Sequence, residues 1–411
     1  MSSYTKISLN FFALIIIPFL IFSCQEKQTK EDQQTATNKA QNKPVVMAYY
    51  VPERDYKPEQ IPVEKLSHII FSFTNVIDGE MKFRNPDDAG PKLQQLVAQK
   101  QRNPELKVMI ACGGWGAGGF SDMAVSPESR EKFAQSVYEF VQKYQLDGLD
   151  MDWEYPGIPA AGTKARPEDK ENFTAIMKRL RQVLDSTGRD QTLTFASAGW
   201  KRYYDNIETL EVMKYASYMN IMTYDQVSGV SIYTGHHTPL GYVSNQEIGD
   251  HPFKRNLDSL YAAGRYQDPD PRSAEKIVKF LIDMGVDPSQ LVIGGAFYGR
   301  AWKGVPPVNN GLYQLSGGIH IGWSAYHQIR KEFETNPDYV RHWDEKVKAA
   351  YMYNAKDSIM ISYDDTVSLR MKTEFAIEKG LGGIMFWELG NDTKEPNGLL
   401  DAIHTAANKG I

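Results

Sequence analysis

Only two cysteines, Cys24 and Cys112, occur in the 411 residues. Two thiols cannot build a disulfide framework, so the fold must rest on an apolar core. A basic excess is also missing: 46 lysines and arginines stand against 51 aspartates and glutamates, a formal charge of −5. A nucleic-acid partner, which needs clustered positive charge, is therefore disfavoured. No HExxH or Walker lysine motif is present, and no internal repeat. Long hydrophobic runs are scarce too. The first, Phe11–Phe22, falls short of the about 20 apolar residues that a spanning helix needs. What remains is an ordinary globular composition, 42% hydrophobic, with 12% aromatic residues. Flat rings serve a core, and they also serve a site that stacks against pyranose faces.

The N-terminus reads as an address. Lys6 precedes the apolar run, which ends in Ile21-Phe22-Ser23-Cys24. That ending resembles a bacterial lipobox, although Phe22 is bulkier than usual at its position. Residues 1–23 are expected to be a signal peptide cut before Cys24, which then carries lipid; a plain secretory signal and an uncleaved anchor are the alternatives. Two or more acyl chains would hold the chain on a membrane. The expected location is the cell envelope, at an outer membrane. Residues 24–44 are polar, without an apolar face, and read as a disordered tether. Cys112 lies in an apolar run and is expected to be a buried, inert thiol.

From Val45 onward, short apolar runs alternate with helical patterns. Candidate strands cover 45–51, 68–76, 107–113, 148–154, 193–200, 218–224, 291–299 and 382–389. They are nearly continuous in apolar residues, as parallel strands covered on both faces are. Phe133, Val137, Phe140, Val141 and Tyr144 follow helical spacing after Ser126-Pro127, a cap and first turn. Further helices are expected over 168–185, from Ser273 to Gly285, and over 366–379. Strands and helices in this alternation predict a (β/α)8 TIM barrel over 45–301 and 358–411, with a doubly wound open sheet as the alternative. Residues 302–357 break the rhythm and read as a small α+β insertion between the last two strands.

Barrel active sites sit at the C-terminal ends of strands, which directs attention to Asp147-Gly148-Leu149-Asp150-Met151-Asp152-Trp153-Glu154. Alternate residues of a strand share a face, so Asp150, Asp152 and Glu154 point inward together, with Glu154 at the mouth. Inward carboxylates repel one another and retain protons. A general acid needs that condition to protonate a glycosidic oxygen. A divalent-metal site and a structural hydrogen-bond network are the other readings of the same row. Asp147 has the opposite parity and reads as structural. The adjacent His236-His237 pair reads as a loop or surface feature rather than a metal chelate.

DGLDMDWEYP closely resembles the DxxDxDxE signature of family 18 glycoside hydrolases, the chitinase family. Other segments match in order: Tyr49-Tyr50, Gly113-Gly114-Trp115, Met222-Thr223-Tyr224-Asp225, FYGRAW at 297–302, ISYDD at 361–365 and the run containing Trp387. The insertion falls where one chitinase subfamily carries an α+β domain. The resemblance implies a retaining, substrate-assisted hydrolysis of β-1,4-linked N-acetylglucosamine without cofactor or metal. It makes Glu154 the general acid and base, Asp152 the partner of the acetamido N–H, and Asp150 the keeper of Asp152's proton. Tyr224, aided by Asp225, would hold the acetamido oxygen. Trp387 would floor the sugar, and Trp115 would stack on its neighbour. Met222, Tyr49 and Arg300 are the remaining candidate contacts. The implied partners are chitin or its oligosaccharides. An endo-β-N-acetylglucosaminidase acting on N-glycans or cell-wall glycan is the rival enzyme, and a non-catalytic sugar-binding barrel the rival of another class. One position departs from the pattern: the serine of the family's SxGG segment is Ala111 here. Ala111 cannot donate a hydrogen bond to Asp150, so a neighbour or water must replace it, or the proton balance of Asp150 and Asp152 shifts.

Overall fold

The computed structural model describes residues 43–54 and 56–409. The expected signal peptide, Cys24 and nearly all of the polar tether lie outside the described residues. The strands, in chain order, are β1 (Val45–Tyr50), β2 (His68–Ile77), β3 (Glu80–Lys82), β4 (Lys107–Gly113), β5 (Gly148–Asp152), β6 (Thr192–Ala198) and β7 (Tyr218–Met222). They continue as β8 (Leu291–Ala296), β9 (Tyr298–Lys303), β10 (Gly318–Ala325), β11 (Val340–Asp344), β12 (Ala349–Asn354), β13 (Ile359–Tyr363) and β14 (Gly383–Trp387).

β1, β2, β4, β5, β6, β7, β8 and β14 pair in parallel, and β1 bonds to both β14 and β2. That double pairing closes the ring and decides for the barrel over the open sheet. Strand parity separates two cores. Val46, Ala48, Leu149, Met151 and Phe195 face outward and pack against helices. Met47, Tyr49, Ile70, Met109, Ala111, Val292 and Met385 fill the interior. Helix Pro127–Tyr144 begins where Ser126 Oγ accepts the Ser129 N–H at 3.2 Å, and buries Phe133, Val137 and Val141. Helix Ala274–Met284 is capped by Ser273, whose Oγ accepts from the Lys276 N–H at 3.3 Å. These hydroxyls satisfy backbone donors that a helix start leaves open.

A second, antiparallel sheet of order β10-β9-β13-β12-β11 stands between β8 and β14 in the chain, with a helical turn at Tyr326–Ile329. It extends past 302–357 on both sides, since it takes in Tyr298–Lys303 and Ile359–Tyr363. The 291–299 run therefore divides: the barrel strand stops at Ala296, and the next residues belong to the second sheet. Asp364 secures the seam. Its Oδ2 accepts from the Ala296 N–H at 2.9 Å, Thr238 Oγ1 at 2.9 Å and Lys372 Nζ at 2.6 Å. This ion pair is wholly buried and owes its place to those extra bonds, because a buried pair without them costs more than it returns.

Cys112 is buried, and burial pushes its thiol up to about 12, as expected for an inert cysteine. Among the described residues no helix is long and apolar enough to cross a membrane.

Candidate active site

The carboxylate row is built by β5 and its neighbours. Ala111 of β4 lies in register with Asp150, and Gly113 with Asp152. Asp150 is fully buried, yet its oxygens are not short of partners. Thr194 of β6 donates to Oδ1 at 2.6 Å and Asn220 of β7 donates to it at 3.2 Å, while Tyr49 of β1 donates to Oδ2 at 3.0 Å. Burial raises Asp150 to about 6, with these three bonds working against the rise. They supply the donors that Ala111 cannot. Tyr49, expected to contact substrate, thus works first as a support for Asp150, although its ring also lines the cavity. Asp147, at the other end of β5, accepts the Val108 N–H at 2.8 Å and pairs with Lys100, a structural role.

Asp152 is the exceptional member. Among the described residues its buried Oδ1 has no hydrogen-bond partner. Burial holds its carboxyl far above the usual range, and the charges of Glu154 and Asp150 add to the rise. The chain turns tightly beside it: Gly114 N–H donates to the Asp152 carbonyl at 2.9 Å, and Gly113 adopts φ +128°. A Cβ on Gly113 would lie 1.9 Å from that carbonyl oxygen, so no other residue fits there. The strand itself stops at Asp152, two residues short of the expected end. Glu154 stands just beyond it, still facing the cavity. Burial raises Glu154 to about 7, opposed by a bond from Tyr155 and helped by the charge of Asp225.

The cavity at this mouth has a volume of about 990 Å³. Of the predicted residues, Tyr49, Trp115, Asp152, Glu154, Met222, Tyr224, Asp225, Arg300 and Trp387 all line it. Asp150 lies beneath it. Among the described residues Tyr224 OH meets only the Met385 sulfur at 3.9 Å, a weak acceptor, so its proton is available to a ligand. Asp225 Oδ1 receives Arg300 Nε at 2.9 Å and Nη2 at 2.6 Å. Burial would raise Asp225, but His237 and Arg300 prevail and keep it low. Arg300 reaches it from β9, in the second sheet and not at a barrel strand's end. Trp387 lies across Phe73, ring centroids 5.5 Å apart, and beside Tyr49 at 5.6 Å. Trp115 is 68% exposed at the rim, a ring with one face open.

Sequence reasoning missed several participants. His237 lies in a loop and makes contacts there, one of the two expected readings, but it is not at the surface: it is fully buried, its Nδ1 3.7 Å from Asp225 Oδ1 and its Nε2 3.2 Å from the Tyr298 carbonyl. His236 is buried too, 3.1 Å from Asp344. Thr194 and Asn220 share inward parity with the residues that were identified, and could have been found that way. Trp200 ends a predicted strand run, and Tyr155 follows Glu154; their rings meet at 5.6 Å. Among the described residues no group of three or more His, Cys, Asp or Glu side chains is placed to hold a metal ion. The Thr194, Asn220 and Tyr49 donors on Asp150 suit an anionic carboxylate in a hydrogen-bond network, not a cation ligand.

Comparison with known proteins agrees with this geometry. Residues 45–392 match the profile of glycosyl hydrolases family 18. The chain is 36% identical over 314 residues to Chitinase A1 of Niallia circulans, covering 73% of this chain but 42% of that protein. It is 28% identical over 380 residues to Chitinase B of Serratia marcescens, covering 80% and 74% of the two chains. The chain thus spans less than half the length of the first relative and about three quarters of the second. A solved family 18 N-acetylglucosaminidase from Paenibacillus barengoltzii superposes with a TM-score of 0.76 at 34% identity, over 88% of this chain and 99% of that one. The Group IV chitinase of Ostrinia furnacalis in complex with allosamidin gives 0.78 at 26% identity, over 89% and 99%. With a match running from β1 to the residues after β14, the chain belongs to family 18 of the glycosyl hydrolases.

Proposed function

We propose that the protein is a chitinase that hydrolyses β-1,4 links between N-acetylglucosamine residues with retention of configuration. The observation that carries this reading is the orphaned, proton-retaining Asp152 between an anchored Asp150 and a Glu154 raised to about 7. Glu154 donates its proton to the glycosidic oxygen as the bond to C1 breaks. The 2-acetamido carbonyl oxygen forms the new bond to C1, giving an oxazolinium ion. Asp152 passes its proton to Asp150 as positive charge develops and takes it back on hydrolysis; its Oδ1, without a hydrogen-bond partner among the described residues, accepts the acetamido N–H, and the carboxylate so formed opposes that charge. Tyr224 donates to the acetamido oxygen, and Trp387 with Phe73 forms the apolar floor. Water then attacks C1, Glu154 takes its proton, and the starting protonation state returns.

The test is product analysis on chitin oligomers and on N-glycans. Disaccharide release from the oligomers alone is expected; cleavage of N-glycans alone would replace this reading with an endo-β-N-acetylglucosaminidase. The Paenibacillus relative is named an N-acetylglucosaminidase, so product size is part of the readout. The same assay carries a pH signature. Glu154 must begin protonated, and its affinity for the proton is raised to about 7. kcat/KM on the oligomer should therefore fall as pH rises through about 7. A rate still climbing well above that point contradicts the assignment.

We also infer attachment to the cell envelope through lipid on Cys24. Support comes from the Phe11–Phe22 run followed by Ser23-Cys24. A Cys24→Ser chain should move from the membrane fraction to the soluble fraction. An unchanged membrane fraction refutes the lipid anchor.

A further inference from the structure

Past Tyr155, the cavity wall continues in a segment that the glycosidic chemistry does not use. Trp200 follows β6, and Tyr266 and Arg272 come from the long connection between β7 and β8. The Arg272 guanidinium lies over both rings, 5.5 Å from the Trp200 centroid and 4.8 Å from the Tyr266 centroid. Nearby lysines are neutralised: Lys201 and Lys276 reach Asp268 Oδ2 at 2.9 and 2.8 Å. Arg272 is not. Among the described residues it has no carboxylate partner, only aromatic ones. Burial weakens its hold on the proton, with tyrosines alone acting in opposition. An arginine nevertheless keeps its charge, so an unpaired cation is presented to a sugar groove.

Position decides which sugar meets it. The sugar that is attacked rests on Trp387, on β14, across the ring from Glu154 after β5. An acid that protonates the linking oxygen stands between that sugar and the leaving one. The leaving chain therefore runs along the aromatic residues on Glu154's side, Tyr155 and then Trp200. Rings there stack on pyranose faces, and the planar guanidinium fork matches a carboxylate with two parallel bonds.

We propose that Trp200, Tyr266 and Arg272 form a leaving-side subsite for an amino-sugar chain end bearing a carboxylate. This rests on the chito-oligosaccharide reading of the same cavity. The carboxylate has two chemical sources: an aldonic acid at an oxidised reducing end, or the lactyl ether of a muramoyl residue.

The experiment compares kcat/KM of the full chain on three oligomers of equal length: neutral, aldonic-ended and muramoyl-ended. At least one acidic oligomer should exceed the neutral one by about tenfold or more, the scale of a charge-assisted hydrogen bond. Which one does so identifies the source. The ratio should shrink with added salt, a reading that needs no variant. Arg272→Gln should bring the ratio to near one, and Arg272→Lys should keep part of it, since the charge stays while the fork is lost. Equal rates on all three oligomers in the unaltered chain, or a ratio that survives Arg272→Gln, overturn the subsite alone. Absence of turnover on every oligomer overturns the chitinase reading with it.

Discussion

Glu154→Gln should abolish turnover of chitin oligomers, a loss of about a thousandfold or more, while leaving their binding within a few-fold. Glutamine keeps the shape of the side chain but its amide cannot release a proton at the rate or affinity that the leaving oxygen requires. The surroundings that make glutamate suitable are already in place. Burial lifts it to about 7, so it holds its proton in neutral solution and gives it up when the linkage oxygen acquires charge. The substitution leaves Trp387, Phe73 and Trp115 untouched, and with them most of the stacking area. Calorimetric titration with an uncleaved oligomer, beside a reducing-end assay, separates the two effects. Turnover at anything near the unaltered rate removes Glu154 from the chemistry.

Asp152→Asn should cost about a hundredfold or more in kcat, with KM changing far less. Asparagine can still accept the acetamido N–H through its carbonyl oxygen. It cannot carry negative charge opposite the oxazolinium ion, and it cannot exchange a proton with Asp150. A pure packing role predicts the reverse split, a damaged KM with kcat preserved. A near-normal kcat would sink the part given to Asp152.

The barrel was legible because each strand carries a run of residues that needs cover on both faces, and each helix an apolar stripe with a start signal such as Ser126 or Ser273. The carboxylate row followed from parity alone. Strand ends were harder. Trp153-Glu154 and Phe297-Tyr298-Gly299 are as compatible with a strand as the residues before them, so nothing local marks where β5 and β8 stop. The supports of Asp150 lie on three other strands and become neighbours only when the ring closes. Residues supplied by loops were invisible for a related reason. His237 and Arg272 meet Asp225 and Trp200 through connections whose path is set by packing, not by any period in the sequence. Ala111 shows the converse. Its loss of a hydroxyl was plain in the sequence, yet Thr194, Asn220 and Tyr49 already satisfy the carboxylate beside it.

The clasp between Asp225 and Arg300 joins a barrel loop to a strand of the appended sheet. The appendage is therefore no detachable ornament around an autonomous catalyst. A shortened chain lacking it would leave the half-buried Asp225 to His237 alone, without a guanidinium, so the trimmed enzyme would inherit a different electrostatic floor and not merely a shallower trench.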